Sequence, residues 1–308
     1  MRVFLKDSFS STRRRKAHLR SWLAAFAAAV LLAALASGPA TAATATTMDP
    51  GDPAVINDWN ELATTTLLGD TTKPPPDHIL YMAFVQAAVY DAVVGIEGRY
   101  QPYQFHARAP RRASAQAAAV AAAHKVLVTY VPSAQTTLDA AYASSLAKLP
   151  DGKAKTRGIT YGTRVADHLI RLRAHDGRNA PIQFTQPAAP GVWRPTPPGF
   201  APMVDPWMGF VTPLLVHSPT QFAPPPPPAL TSRRYTRDFD EVKALGSATS
   251  TARTPAQTST ALFYSGLANV QFQAMLRDQG TARDLDIVDA ARMFAAADMS
   301  AADTIISV

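Results

Sequence analysis

Hydrolytic or metal chemistry in this 308-residue chain would have to come from seven histidines, 23 acidic residues and scattered serines, because it has no cysteine. The histidines are His18, His78, His106, His124, His168, His175 and His217. A zinc hydrolase of the His-Glu-x-x-His kind sets two imidazoles one helical turn apart. Neither that spacing nor His-x-His occurs. Asp286, Asp289, Asp298 and Asp303 share one stretch with helical periodicity, but it lacks the regular ligand spacing and glycine turn of a calcium loop. No serine stands in Gly-x-Ser-x-Gly, the strained turn that exposes a hydrolase nucleophile. Asp167, His168 and Asp176 read as surface or hydrogen-bonded residues rather than ligands, and Asp289 with Arg292 suits a helix-surface ion pair. Residue types and spacing therefore assign no catalytic, cofactor-binding or metal-ligating residue.

The N-terminus carries a different signal. Arg2, Lys6, Arg13, Arg14, Arg15, Lys16 and Arg20 precede an unbroken apolar run of 15 residues, Trp22 to Ala36, and Ala40-Thr41-Ala42 offers a small-residue cleavage site. The run is short for a membrane span, which needs about 20 apolar residues. Residues 1–42 are expected to be a signal peptide, Sec-type or weakly twin-arginine, with an uncleaved anchor as the alternative; cleavage would leave a secreted, extracytoplasmic domain at 43–308 without a membrane segment. Those 42 residues hold seven of the 30 Lys/Arg and one of the 23 Asp/Glu, so 23 bases face 22 acids in the remainder. A nucleic-acid partner is excluded on that balance, since it needs a basic footprint on the folded domain.

The framework reads as all-α. Asp52-Pro53 opens a first helix with Val55, Ile56, Trp59, Leu62, Ala63 and Leu67 on one face. Asp77 is expected to cap a second helix, apolar nearly all round as a central core helix should be, that Gly95 ends. Ser114 starts an alanine-rich third, which Pro132 stops; a fourth runs over 134–149 and a fifth over 154–175. The Gly158-x₃-Gly162 spacing on the fifth is read as a close helix contact. From 178 to 229 the periodicity disappears, and 15 of the 26 prolines fall there among Phe184, Trp193, Phe200, Trp207, Phe210 and Phe222. These aromatics are expected to anchor a strap against the helices, with a substrate-entrance lining as the alternative.

Beyond the strap, Thr231 or Ser232 caps a helix bearing Tyr235, Phe239, Val242 and Leu245 on one face, closed by a left-handed Gly246. Thr254-Pro255-Ala256-Gln257 is a capping box for a helix carrying Leu262, Phe263, Leu267, Val270 and Met275 to Gly280. A last helix is expected from Asp284, with Leu285, Val288, Ala295, Met299 and Ile306 toward a core. It lacks a terminating signal, and an end on bare aliphatics would leave carbonyls unsatisfied. The reading is that this helix continues in a longer protein, with homo-oligomer pairing through the exposed C-terminal helix as a consequence.

One resemblance adds to these readings. The order Gln221-Phe222…Pro228-Ala229-Leu230-Thr231-Ser232…Tyr235…Asp240-Glu241-Val242-Lys243…Leu245-Gly246…Arg253-Thr254…Gln257-Thr258 resembles secreted bacterial proteins of the vanadium-dependent haloperoxidase family, whose fold is shared with type 2 phosphatidic-acid phosphatases. The likeness extends from Val55-Ile56-Asn57-Asp58-Trp59-Asn60 to Ala290-Ala291-Arg292-Met293-Phe294. It implies a helical bundle of about seven helices and, for a complete member, peroxide-driven oxidation of halide at bound vanadate. The family holds vanadate with Lys-x₆-Arg-Pro, Pro-Ser-Gly-His and Ser-Arg-x₅-His, because a multiply charged oxyanion needs charge-assisted donors. None occurs here: Arg194-Pro195 would need lysine where Pro187 stands, and Ser232-Arg233 leads to Asp238, Phe239 and Asp240. The resemblance thus implies the N-terminal part of a haloperoxidase-like protein, truncated before its vanadate motifs, with vanadate expected for the family and none for this chain. The alternatives are an acid phosphatase of the same superfamily and a non-catalytic exported helical binding protein.

Overall fold

The computed structural model describes residues 51–307, so the expected signal peptide lies outside the described residues. Among these residues there are nine α-helices and no strand. They are α1 (Ala54–Gly69), α2 (Pro75–Glu97), α3 (Ala115–Tyr130), α4 (Gln135–Ala147), α5 (Lys153–Leu172), α6 (Arg233–Leu245), α7 (Pro255–Tyr264), α8 (Ala268–Ala282) and α9 (Ile287–Ile306). Two single-turn 3₁₀ segments, Pro132–Ala134 and Met208–Phe210, complete the regular structure.

Helix α2 is the hub, packed by α1, α3, α5 and α9. Leu80, Phe84, Ala88 and Ala92 on one side and Tyr81, Val85 and Val89 on another are all buried, so it has no solvent face over most of its length. It is long and apolar enough to cross a membrane, yet that apolar surface is enclosed by protein. Pro75 begins it, with Pro74 as the N-cap, and Asp77 sits buried inside the first turn rather than capping it as expected. Nor does Gly95 end it. The helix runs on to Glu97 and closes on Gly98 at φ 70°, a left-handed conformation that glycine adopts without a Cβ clash. Gly95 serves packing instead: a Cβ there would lie 2.0 Å from the Tyr161 hydroxyl, which donates to the Ala107 carbonyl.

The expected close approach on α5 is present, against α3. A Cβ on Gly158 would lie 2.3 Å from the Ser114 carbonyl oxygen, and one on Gly162 2.1 Å from that of Ala118. Ser114 caps α3 as expected, its hydroxyl accepting from the Ala117 amide. At α1 the Asp52 carboxylate accepts from the Ala54 amide.

After α5 the chain is irregular until α6, as its prolines require. Of the six aromatics expected to anchor the strap, Trp207 is buried, whereas Phe200, Phe210 and Phe222 are exposed. Trp207, Met208, Val211 and Leu214 seat the later part of the strap on the core, and polar groups add to that hold. Gly177, at φ 97°, lets it pass within contact of the Phe210 carbonyl, and the Thr212 amide donates to the Asp176 carbonyl at 2.7 Å.

The segment 231–267 departs most from expectation. Ser232 caps α6 and the Thr254–Gln257 capping box opens α7, both as read from sequence. Neither helix contains a buried residue, however, and the Tyr235, Phe239 and Val242 face is exposed. Gly246 has φ −78°, right-handed rather than left-handed. The single helix expected after Thr254 is two. The Ser265 hydroxyl donates to the Leu262 carbonyl, Gly266 is a poor helix former, and the Gln271 side chain takes the Phe263 carbonyl.

At the last helix, Asp284 has φ 51° and lies outside; Asp286 is the cap, accepting from the Val288 and Asp289 amides at 3.0 Å each. The expected exposed aliphatic end is also corrected. Ile306 is 1% exposed, Ile305 packs partly on the core, and the Ser307 amide donates back to the Asp303 carbonyl. The exposed helices are α6 and α7, not the C-terminal one.

Candidate functional site

Three clusters of polar side chains are built into the apolar framework. The first consists of carboxylates that bind backbone. Asp91, on α2, accepts from the amides of Tyr103, Gln104 and Phe105 at 2.5, 2.9 and 2.9 Å. Asp303, on α9, accepts from Leu214, Leu215 and Val216 at 2.6, 2.7 and 2.9 Å. Burial pushes the Asp91 carboxyl up, and the three amides pull it back. Each aspartate pins a loop to a core helix, with its lone pairs spent on that task.

The second cluster is cationic. Arg173 and Arg178 are almost wholly enclosed and flank Asp176, with Arg178 Nε 2.8 Å from Asp176 Oδ1. Arg173 Nε lies 2.9 Å from Asp176 Oδ2 without its N–H aimed at that oxygen, so this contact is an ion pair and not a hydrogen bond. Arg173 donates to the Thr212 carbonyl and Arg178 to the Arg173 carbonyl, at 2.6 Å each. The Arg178 guanidinium also lies over the rings of Phe84, Tyr130 and Tyr81 at 4.8, 4.9 and 5.5 Å, a cation–π arrangement. Asp77 lies near this group. Burial, then the negative charge of Asp205, pushes its carboxyl up to about 7, against the opposing pull of Lys73 and Arg178.

The third cluster borders a pocket of about 280 Å³ between α1, α2, α8 and α9. Its walls are Leu67, Ile79, Met82, Ala268, Phe272 and Ala301, with Thr64, His78, Asn269, Gln273 and Asp298 as the polar members. A chain of donors leads inward from the surface. Arg277 Nη1 donates to Asn60 Oδ1 at 2.6 Å, Asn60 Nδ2 to Gln273 Oε1 at 2.6 Å, and Gln273 Nε2 to Asp298 Oδ1. Asn60, Gln273 and Asp298 are each 3% exposed or less. Burial pushes the Asp298 carboxyl up to about 7, with the Gln273 amide pulling the other way. Its second oxygen, Oδ2, has no hydrogen-bond partner. Across the pocket, His78 Nε2 faces the Lys73 carbonyl at 3.1 Å and so carries the proton, leaving Nδ1 as an unpartnered lone pair. Burial lowers the pKa of this imidazole.

The sequence reading found none of this pocket. Asp298 was seen only as one of four aspartates on a helix, and those four diverge. Asp286 caps the helix, Asp289 pairs with Arg99 at 3.0 Å and accepts from the Tyr100 hydroxyl, Asp298 borders the pocket and Asp303 binds a loop. Arg292 stacks on the Tyr100 ring rather than pairing with Asp289. Among the other residues singled out, Asp167 pairs loosely with Lys125, His168 packs edge-on against Phe105, and Asp176 belongs to the buried arginine cluster. A usable signal was a carboxylate and two amides, Asn60, Gln273 and Asp298, at core-facing positions of apolar helices.

Neither the buried arginine cluster nor the nearest approaches to the family motifs is free to hold vanadate. It would need several donors free to converge, and the buried guanidiniums of Arg173 and Arg178 are already directed at Asp176, two backbone carbonyls and aromatic faces. Arg194 is exposed in the strap, and Ser232 spends its hydroxyl capping α6. Among the described residues no group of three His, Asp or Glu side chains is placed to hold a metal ion.

A hub helix enclosed by neighbouring helices, with a long proline-rich crossing, defines an all-helical fold of the haloperoxidase-like type. Among solved structures the chain is similar to a bacterial vanadium-dependent iodoperoxidase, at a TM-score of 0.71 and 20% identity over 84% of this chain and 68% of that one. At that identity the likeness is one of fold. No protein-family model and no curated protein matches the sequence.

Proposed function

We propose that this chain is a secreted, haloperoxidase-like protein that retains the helical framework of the fold and does not itself hold vanadate. The reaction of a complete family member would be oxidation of halide by hydrogen peroxide at vanadate. What carries the reading is the combination of a haloperoxidase-like fold with the absence from the sequence of Lys-x₆-Arg-Pro, Pro-Ser-Gly-His and Ser-Arg-x₅-His. The buried arginines do not replace those motifs, because Arg178 could reach an anion only by giving up its hydrogen bonds to the buried Asp176 carboxylate and the Arg173 carbonyl. On this reading residues 1–42 direct export, the domain is 43–308, and neither nucleic acid nor membrane is a partner after cleavage.

The test is iodide and bromide oxidation by purified 43–308 with vanadate and peroxide, together with retention of vanadate on equilibrium dialysis. The expected result is no oxidation above the protein-free blank and no retained vanadate. Measurable turnover of either halide would overturn the proposal, and release of phosphate from a monoester would favour the phosphatase alternative.

A second reading, a non-catalytic exported binding protein, is favoured by one observation. The last helix is covered and capped, and a pocket lined partly by polar groups adjoins it. A cooperative, single thermal transition of a soluble monomer would support it.

A further inference from the structure

Helix α6 carries two rows of side chains that the rest of the molecule leaves uncovered. Tyr235, Phe239 and Val242, at spacings of four and three, make an apolar stripe, with the two rings stacked at 6.2 Å. The stripe is exposed, and the helix has no buried residue. Arg234, Asp238 and Glu241 each stand one position before a member of the stripe, so they form a charged row along one of its edges. The row reads plus, minus, minus. Asp238 is answered within the helix, by Arg237 at 3.0 Å and Arg234 at 3.6 Å. The Glu241 carboxylate makes none of the ion pairs or hydrogen bonds found among the described residues, and Arg234 keeps donors to spare on a side chain that is largely in solvent. Arg233 and Arg234 also open the helix with no acid in its first turn, against the positive end of the helix dipole.

These charges suit a neighbour better than they suit the helix itself. A parallel copy laid on the stripe would set Arg234 against Arg234 and Glu241 against Glu241. An antiparallel copy, related by a two-fold axis near Asp238, sets Arg234 of each helix against Glu241 of the other and brings a carboxylate to each N-terminus. The stripes meet in the same step, because Tyr235 and Val242 lie on opposite sides of that axis and exchange places across it. Asp238 comes near its own copy there, and its pairing with Arg237 and Arg234 offsets that contact. We infer that α6 is a dimerisation helix: two copies of this chain pair through it antiparallel, with Tyr235, Phe239 and Val242 as the seam and two Arg234–Glu241 pairs fixing the direction. A seam of three side chains is small beside a standard interface of about 800 Å² per partner, so the dimer is weak and reversible. The inference concerns α6 alone and stands or falls separately from the reading of the vanadate motifs.

The experiment is sedimentation velocity of the 308-residue chain over a concentration series up to about 300 µM, in low salt where surface charges are least screened. The expected result is a monomer–dimer equilibrium in the wild type. Arg234→Glu alone and Glu241→Arg alone each turn both pairs into like-charge contacts, and each weakens the dimer about tenfold. An equimolar mixture of the two variants returns to wild-type affinity, because every altered side chain then faces its opposite charge. The double reversal within one chain does the same. Loss of the helix cannot imitate this pattern. Arg234→Glu puts an acid near the N-terminus and Glu241→Arg a base near the C-terminus, where the helix dipole favours them. The mixture also contains nothing that the single variants lack. A wild-type chain that stays monomeric overturns the proposal. So do single reversals that associate as tightly as the wild type, or a mixture no tighter than its components.

Discussion

Single carboxylates decide how loops and helices are joined in this molecule. Asp303 shows the scale of the effect, since it takes three successive amides at 2.6–2.9 Å. Asp303→Ala would leave those amides around Leu214 without acceptors, at about 3 kcal/mol or more. A fall in Tm of roughly 6–12 °C is expected by calorimetry, and Asp303→Asn should recover only part of it, since one amide oxygen cannot serve three donors. A Tm unchanged by Asp303→Ala would show that the loop is held otherwise. Asp298 acts in the opposite sense. Its carboxyl ionises near 3.8 when unfolded and near 7 when folded, because burial disfavours the charge. Between those values the folded state keeps a proton that the unfolded state has lost, so this residue's contribution to stability is fullest below the lower value and declines as pH rises toward 7. Asp77, also pushed up to about 7, adds to the same decline. Asp298→Asn, which cannot ionise, should therefore match the wild type near pH 4 and melt several degrees higher at pH 8. Parallel Tm values across that range would refute the assignment. In the sequence all these aspartates look alike. What separates them is which face of the helix each occupies and what lies opposite, and composition carries neither.

Among the elements, the features legible in the sequence were those fixed by nearest neighbours. Ser114, Ser232 and the Thr254–Gln257 box cap the helices they precede, because a short hydroxyl side chain reaches the orphan amides of its own first turn. Features fixed by distant contacts were not legible. Gly95 looks like a stop, yet Tyr161, 66 positions later, requires it as a packing residue. Gly158 and Gly162 were readable as a pair because their spacing places both on one face, and the structure supplies α3 as the partner. Magnitudes decide what substitution does there. In an isolated helix Gly→Ala gains about 1 kcal/mol in propensity. At Gly162 the new methyl would meet backbone, the Ala118 carbonyl at 2.1 Å, which has no rotamer to yield. Overpacking of this kind costs about 1–3 kcal/mol beyond the lost propensity gain. Gly162→Ala is therefore expected to lower Tm, while Gly69→Ala, with nothing within 4 Å, should leave it unchanged or slightly raised. Equal effects of the two on thermal denaturation would contradict the close α3–α5 contact.

For the molecule as a whole, the described residues differ sharply in how well they are covered. Helices α1 to α3, α5 and α9 enclose the core, whereas α6 and α7 bury no residue and leave Phe239, Val242, Leu262, Phe263 and Tyr264 more than half exposed. Side chains of this size gain about 1.5–3 kcal/mol each on full burial, so leaving several of them wet forgoes a contribution comparable to the net stability of a domain. The periodicity of α6 was readable in the sequence; its lack of a partner was not, because an amphipathic pattern says that a face wants cover and not what covers it. Two consequences follow. Local unfolding should begin here, so limited proteolysis is expected to cut within 231–267 before α2 or α9 loses amide protection in hydrogen exchange. The bare faces should also drive self-association, through α6 and α7 rather than the C-terminal helix. In sedimentation velocity the wild-type chain is expected to form concentration-dependent oligomers, and Val242→Glu with Phe263→Glu to shift the distribution to monomer. Because both side chains are 62% exposed or more, the double variant should keep the wild-type Tm. Oligomers that persist in that variant, or a fall in its Tm, would mean that these faces pack within the chain and that α6 and α7 belong to its core.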